Sequence, residues 1–225
     1  MSSRPTRFGP AKKGSRYCLQ RYVEFSGRAL AELIVRSSTA LAALDPAEIR
    51  WVSPVREANY LEYRDDFLRV IGLDQHEKAL RQFWPLNGPQ WDGLATFRSS
   101  GRKGVFLVEA KAHPQETLSD CGATNPVSIQ LIGERLEEVR QFMGARPVDW
   151  TKRSYQLANR LAHLYFLSEL CGVSAFLVLV NFVNDRSHKP TSIQEWQRHP
   201  LTGNLGIHAE CRLLDRIVTV YPEAV

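Results

Sequence analysis

The chain has 225 residues, of which 44% are hydrophobic and 24% are charged. This composition supports one folded domain with a substantial core, and it excludes an intrinsically disordered chain. Lys and Arg outnumber Asp and Glu by 29 to 24, so the net charge of +5 permits a polyanionic partner without requiring one.

The four cysteines lie far apart in the sequence and form no C-x-x-C pair, so we expect neither a disulfide framework nor a zinc site. A reducing cytoplasm is the simplest location for such a chain. No apolar stretch approaches the ~18 residues of a membrane span, and we expect no membrane partner. The cysteines are Cys18, Cys121, Cys171 and Cys211.

Residues 1–23 carry six basic side chains and no acidic one, and Pro and Gly interrupt them. We predict a flexible basic arm here, followed by a single domain over residues 24–225. A solubilising tail, a non-specific contact to phosphates and a transit peptide all fit this composition.

Apolar residues at helical spacing predict helices over residues 24–44, 56–72 and 76–83. The second of these helices carries an acidic stripe beside an aromatic one. A turn at Asn87-Gly88-Pro89 then leads into a strand, and a tight connection over 99–104 precedes the strand "VFLVEAKA" at 105–112. We expect these two strands to pair as a hairpin.

The second half of the chain predicts two further helices, one beginning at Asn125 as N-cap and one over residues 151–172. The apolar run 174–183 has the length of a strand covered on both faces. A helix starting at Ser192 and a strand over 216–221 follow. The order of elements predicts a mixed α/β fold with helices packed on a central sheet.

Glu109 and Lys111 lie at the end of a buried strand and, because strand side chains alternate, point to the same face. Asp92 comes from the strand expected beside them. Two adjacent strands can therefore bring two carboxylates and one ammonium to a single point. Hard cations such as Mg²⁺ prefer carboxylate oxygens together with water and phosphate, so this pattern indicates metal-dependent chemistry on a phosphodiester. A plain strand-end ion pair is the structural alternative.

The pattern of Asp92 followed by Glu109-Ala110-Lys111 resembles the D…E-x-K signature of the PD-(D/E)XK nuclease superfamily, which has the restriction-endonuclease-like fold. That fold has a core of a helix, a three-stranded meander, a helix and a further strand (αβββαβ). The resemblance covers about residues 56–183, with N- and C-terminal additions, and "FWPL" at 83–86 is the candidate first strand. One departure is that Trp91 precedes the aspartate where the family has proline.

The resemblance implies that Asp92, Glu109 and the carbonyl of Ala110 bind Mg²⁺, with Mn²⁺ able to substitute, and that Lys111 orients or deprotonates the attacking water. It also implies a further glutamate before the meander and a Gln or Arg on the helix after the E-x-K strand. For the glutamate we favour Glu62, with Asp65, Asp66 and Glu32 as rivals. The polar stripe on the later helix comprises Gln156, Asn159, Arg160 and His163.

Within that stripe we expect Gln156 to support catalysis, Asn159 and Arg160 to contact substrate, and His163 to be structural. His113 is a secondary candidate for a general base or a substrate contact. The resulting hypothesis is a Mg²⁺-dependent nuclease that hydrolyses DNA. A homodimer is one possible assembly. The alternatives are an inactive nuclease-like fold that binds nucleic acid or protein, and an unrelated α/β protein with a coincidental ion pair.

Overall fold

Five strands form one mixed sheet in the computed structural model, which describes residues 7–199 and 203–225. They lie in chain order across the sheet, with the first three antiparallel and the last three parallel. The strands are β1 (Ala47–Ser53), β2 (Gly93–Ser99), β3 (Arg102–Lys111), β4 (Ser174–Asn181) and β5 (Ile217–Val220).

Helices cover both faces of this sheet. One face packs against α1 and α2, and the other packs against α3 to α6, so that β3 and β4 are buried on both sides. This explains their continuous apolar runs. The helices are α1 (Gly14–Arg36), α2 (Thr39–Ala43), α3 (Phe67–Val70), α4 (Glu77–Phe83), α5 (Pro126–Met143), α6 (Tyr155–Tyr165) and α7 (Ile193–Arg198).

The predicted α/β layout of a central sheet flanked by helices is therefore confirmed. So are the helix capped by the Asn125 side chain, which ends at Gly144 with φ 74°, and the capping box at Ser192. Among the described residues, no helix combines the length and the apolar character needed to cross a bilayer.

The hairpin between β2 and β3 sets the position of the site. Ser100 and Gly101 form its two-residue connection, and both have positive φ (47° and 76°), as a type I′ turn requires. The resulting register pairs Gly93 with Val108. Asp92, one residue before β2, is thus level with Glu109, one residue after Val108.

The prediction of one helix over residues 56–72 is wrong. Only a 3-10 turn at Arg56–Ala58 and the short α3 form there, because Asn59 and Tyr60 have positive φ and interrupt the helix. The segment also bonds to distant backbone: the N–H of Glu62 donates to the carbonyl of Arg7.

The first strand of the meander is β1, so the expectation that "FWPL" forms it is wrong. Phe83 ends α4, and the N–H of Trp84 still donates to the Leu80 carbonyl. The side chains of Phe83 and Trp84 are buried: Phe83 contacts Phe166, just after α6, and Trp84 contacts His163 on α6.

The predicted flexible arm over residues 1–23 also needs a correction. Residues 14–23 belong to α1, which begins ten residues before the helix predicted over 24–44. The cause is apolar packing, since Cys18 and Leu19 are buried against the sheet. Residues 1–6 lie outside the described part of the chain.

Candidate active site

Asp92 and the end of β3 meet where the hairpin leaves the core. Asp92 Oδ2 accepts a hydrogen bond of 2.9 Å from the backbone N–H of Ala110. The N–H and C=O of one strand residue point to the same side, so the Ala110 carbonyl also faces the Asp92 side of the strand. Glu109 and Lys111 project from the face of β3 that packs against α6.

Two cations hold the carboxylate of Glu109. Lys111 Nζ bonds to Oε1, and the Arg160 guanidinium donates to Oε2 at 2.7 Å. Burial raises the pKa of Glu109, but the charges of Arg160 and Lys111 outweigh burial and lower it below its usual value. Glu109 is therefore ionised at neutral pH.

Lys111 is a fixed ammonium in this arrangement. Burial alone would lower its pKa, but the neighbouring Glu109 and Asp92 raise it above its ordinary value. An ammonium can donate hydrogen bonds and offset negative charge, whereas it cannot take a proton. In this charge state Lys111 could orient a water but could not deprotonate it, and both roles stay predictions.

Arg160 on α6 is held by three groups. Besides Glu109 it donates to the Gln90 carbonyl at 2.8 Å, and its guanidinium lies 5.4 Å from the centre of the Trp91 ring. These contacts fix a buried arginine between α6 and the segment before β2. Arg160 binds a carboxylate of the site in this structure, and its contact with substrate stays a prediction.

The charge of Asp92 is less well compensated than that of Glu109. Burial raises the pKa of Asp92, and the negative charge of Glu109 raises it further, against the opposing effects of Lys111 and the Ala110 N–H. The surroundings of Asp92 in the folded chain therefore disfavour its ionised form.

Glu62 lies in the loop before α3, and its carboxylate interacts electrostatically with that of Asp92. Arg16 on α1 donates to Glu62 Oε1 at 2.7 Å. Glu62 Oε2 is buried, has no hydrogen-bond partner among the described residues, and lies 4.0 Å from Arg7 Nη1. Burial, followed by the charge of Asp92, raises the pKa of Glu62 to about 7. Glu62 thus joins Asp92 and Glu109 in a chain of interacting carboxylates.

The three rivals of Glu62 lie in other surroundings. Asp65 binds Arg81 and the backbone N–H groups of Asn87 and Gly88, which fixes a loop. Asp66 precedes α3, and Glu32 is an exposed partner of Arg28.

Replacing Glu62 with Gln is expected to change the pH dependence of stability. The pKa of Glu62 is raised from 4.5 to about 7 on folding, so its stabilising proton is fully bound below pH 4.5 and is lost as the pH rises through 7. The ionised form then costs the folded state about 3 kcal/mol. Chemical unfolding should show wild type losing stability between pH 4.5 and 7 and the variant losing much less. Parallel pH profiles would contradict this.

A cavity of about 20 Å³ lies beside Glu109 and Lys111, which is room for one water molecule. Gln156, from the first turn of α6, lies in its wall together with both charged residues. The cavity is lined by Glu109, Lys111, Thr117, Ser154, Gln156, Leu157, Leu179 and Asn181.

The remaining predicted residues lie outside this cavity. Asn159 is buried, and its carbonyl accepts a hydrogen bond from His163 Nδ1. His163 packs against Trp84 and Trp91, and burial lowers its pKa to about 3, which fits the expected structural role. His113 accepts a hydrogen bond from the Gln115 N–H and lines a neighbouring groove.

Sequence reasoning missed Asn181, Ser154 and Thr117 in the cavity wall and Arg16 as the partner of Glu62. For Asn181 a signal existed, because it is the polar residue that ends the apolar run of β4 just as Glu109 ends that of β3. Arg16 carried no such signal, since it lies within the residues assigned to the arm.

Asp92, Glu109 and the Ala110 carbonyl are the groups that could hold a metal ion. Two carboxylates completed by water and phosphate oxygens suit Mg²⁺. Burial, followed by a neighbouring carboxylate, raises the pKa values of Asp92 and Glu62. Within residues 7–199 and 203–225, however, no three His, Cys, Asp or Glu side chains are arranged as a metal-binding group. The donors thus fit a two-carboxylate site and not a cage built from protein alone.

Comparisons with protein-family models, curated proteins and solved structures found no match to this chain. The functional argument therefore rests on the residues and their geometry.

Proposed function

We propose that this chain is a Mg²⁺-dependent nuclease of the restriction-endonuclease-like type, acting on DNA. The observation that carries the proposal is that Asp92 binds the Ala110 N–H at the end of β3, between Glu109 and Lys111, which line one small cavity together with Gln156. The antiparallel strands β1 to β3, followed by α5, α6 and the parallel strand β4, support the same proposal, with α3 and α4 inserted between β1 and β2.

Each residue has a role that follows from its surroundings. Glu109 is kept ionised by Lys111 and Arg160, and Asp92 supplies a second, poorly compensated carboxylate. Lys111 donates to a water or to the phosphate, where its charge offsets the negative charge that grows in the transition state. Glu62 and Gln156 support this centre from the loop before α3 and from α6.

A bound Mg²⁺ would neutralise phosphate charge and lower the pKa of a coordinated water. Asp92, Glu109 and the Ala110 carbonyl would hold it. Burial, followed by the charge of Glu109, raises the pKa of Asp92, and a bound cation would offset the charge of these two carboxylates.

A groove of about 560 Å³ adjoins the cavity, and we infer that the substrate backbone follows it. Lys189, Arg198 and two imidazoles line this groove, with Glu195 as its acidic member, and Thr117 lines both groove and cavity. Cationic side chains beside a hydrolytic centre suit the phosphates of a nucleic acid.

Replacing Lys189 and Arg198 together with Ala is expected to weaken DNA binding. Each lost phosphate contact should reduce the slope of log affinity against log salt by about 1. Fluorescence anisotropy with a labelled duplex over a salt series measures this slope. The matched control replaces Arg28 and Arg36 on α1, and an equal loss in the control would show that only net charge matters.

One observation favours the alternative of a nuclease-like fold that binds without cutting. Arg160 and Lys111 already occupy both oxygens of Glu109, so a metal ion must share that carboxylate with them. An inactive module would use the same cations to keep a buried glutamate neutralised.

Cleavage of supercoiled plasmid and linear duplex in Mg²⁺, with EDTA as the control, decides between the two. The nuclease proposal expects nicked or shortened products that require the metal. Binding of DNA with no cleavage in Mg²⁺ or Mn²⁺ would instead support the interaction module.

A further inference from the structure

Arg16 connects α1 to the buried carboxylate of Glu62. Its Nε donates a hydrogen bond of 2.7 Å to Glu62 Oε1, and its Nη2 donates one of 2.9 Å to the Gly9 carbonyl. The side chain of Glu62 is 1% exposed, and that of Arg16 is 27% exposed. When it is ionised, a buried carboxylate needs a hydrogen-bonded partner of opposite charge, and Arg16 supplies this partner.

The backbone around Glu62 is joined to the backbone around Asp92. The N–H of Trp91, the residue before Asp92, donates at 2.9 Å to the carbonyl of Tyr63, the residue after Glu62. The loop that carries Glu62 is therefore fixed beside the residues that lead into β2.

The helix α1 packs on the same part of the sheet. Leu19 follows Arg16 by one helical turn, so both side chains lie on one face of the helix. Gly93, the residue after Asp92, comes so close to this face that a Cβ there would lie 3.3 Å from Leu19 Cδ2. Arg16 thus projects from the helix face that covers the beginning of β2.

The charges of Glu62 and Asp92 act on each other. Burial, followed by the charge of Asp92, raises the pKa of Glu62, and the charge of Arg16 is the largest effect that opposes them. Arg7 is a weaker partner, because its side chain is 64% exposed and its Nη1 lies 4.0 Å from Glu62 Oε2. Arg16 is therefore the residue that fixes the Glu62 carboxylate relative to Asp92.

We propose that Arg16 is a positioning residue of the catalytic centre, which holds the Glu62 carboxylate near Asp92 so that its negative charge strengthens the binding of Mg²⁺. The inference rests on the nuclease function proposed above. Glu62 acts on the ion through its charge, while Asp92, Glu109 and the Ala110 carbonyl remain the metal-binding groups. A charge several ångströms from an ion in a partly buried site can change the affinity for that ion about tenfold.

Arg28 provides a matched control on the same helix. Its Nε donates to Glu32 Oε1 at 2.8 Å, which is the same type of bond as the one between Arg16 and Glu62, but the Arg28 side chain is 93% exposed. Arg28→Gln therefore removes the same kind of ion pair from α1 at a position in contact with solvent.

The kinetic test measures cleavage of plasmid DNA over a Mg²⁺ series under single-turnover conditions. Arg16→Gln and Glu62→Gln should each raise the Mg²⁺ concentration at half-maximal rate about 10-fold, because both remove the positioned charge. Since Arg16 acts through Glu62, the double variant should need no more Mg²⁺ than Glu62→Gln alone. Arg16→Lys should recover part of the loss, and Arg28→Gln should match wild type.

A purely structural role of Arg16 gives a different result. If Arg16 only fastens α1 to the loop before α3, Arg16→Gln should lower the melting temperature and leave the Mg²⁺ requirement at its wild-type value, which would overturn the proposal. Effects that multiply in the double variant would overturn it as well. If Arg16→Gln does not fold, the double variant still decides, because it removes both charges at once and leaves no buried carboxylate unpaired.

Thermal unfolding without DNA measures Mg²⁺ binding independently of cleavage. At one Mg²⁺ concentration, the ion should raise the melting temperatures of wild type and Arg28→Gln equally and that of Arg16→Gln by less. A wild type that cleaves DNA, with the same Mg²⁺ shift in Arg16→Gln, would overturn this inference alone. A wild type that cleaves no DNA in Mg²⁺ would overturn the nuclease function and, with it, the role of Arg16.

Discussion

Replacing Lys111 with Ala is expected to lower the rate of Mg²⁺-dependent DNA cleavage by about 10²–10³-fold. The ammonium of Lys111 is fixed beside Glu109 and next to the cavity, so its loss removes both a donor to the reacting groups and a charge that offsets the transition state. Single-turnover cleavage of a labelled duplex measures the effect.

Two further variants separate this effect from a loss of folding. Lys111→Met keeps the apolar stem of the side chain and should be as inactive as Lys111→Ala. Lys103→Ala changes the same residue type at the exposed beginning of the same strand and should cleave normally. Undiminished cleavage by Lys111→Ala would exclude this site as the origin of the activity.

Asp92→Asn is expected to abolish cleavage and at the same time to stabilise the metal-free protein at neutral pH. The pKa of Asp92 is raised on folding, so its ionised form is disfavoured in the folded state and its contribution to stability is lost as the pH rises. An amide carries no such charge, and its oxygen can still accept the hydrogen bond from Ala110. Thermal unfolding in EDTA at pH 5 and pH 8 should show a gain for Asn that is larger at pH 8.

Adding Mg²⁺ should raise the melting temperature of wild type and leave Asp92→Asn unchanged, because a ligand stabilises only the state that binds it. Asp65→Asn is the matched control: it weakens an ion pair with Arg81 and should lower stability. If Asp92→Asn also lowers stability at pH 8, Asp92 is a structural residue, and the carboxylates of Asp92 and Glu109 are not arranged to bind a cation.

Local sequence patterns predicted the sheet because β3 and β4 are buried on both faces and therefore consist of uninterrupted apolar residues. Strand alternation placed Glu109 and Lys111 on one face. Their meeting with Asp92 follows from the hairpin register, which the two-residue turn at Ser100-Gly101 determines. Each of these features involves residues that are close together in the sequence, so the sequence pattern predicts them.

The predictions that failed depend on contacts between residues that are far apart in the sequence. The segment around Glu62 has the period of an amphipathic helix, but its backbone bonds to Arg7 and Trp91, which lie far from it in the sequence. Helical spacing put Gln156 and Arg160 on one face without indicating that Arg160 reaches Glu109 while Gln156 reaches the cavity. That distinction depends on how α6 packs on the sheet.

Crystals soaked in Mn²⁺ test the central claim most directly, because the anomalous signal locates the ion itself. The proposed function predicts an anomalous peak between the carboxylates of Asp92 and Glu109 and beside the Ala110 carbonyl, and its loss in Asp92→Asn. A wild-type crystal with no peak there, at Mn²⁺ concentrations that support cleavage, would contradict it.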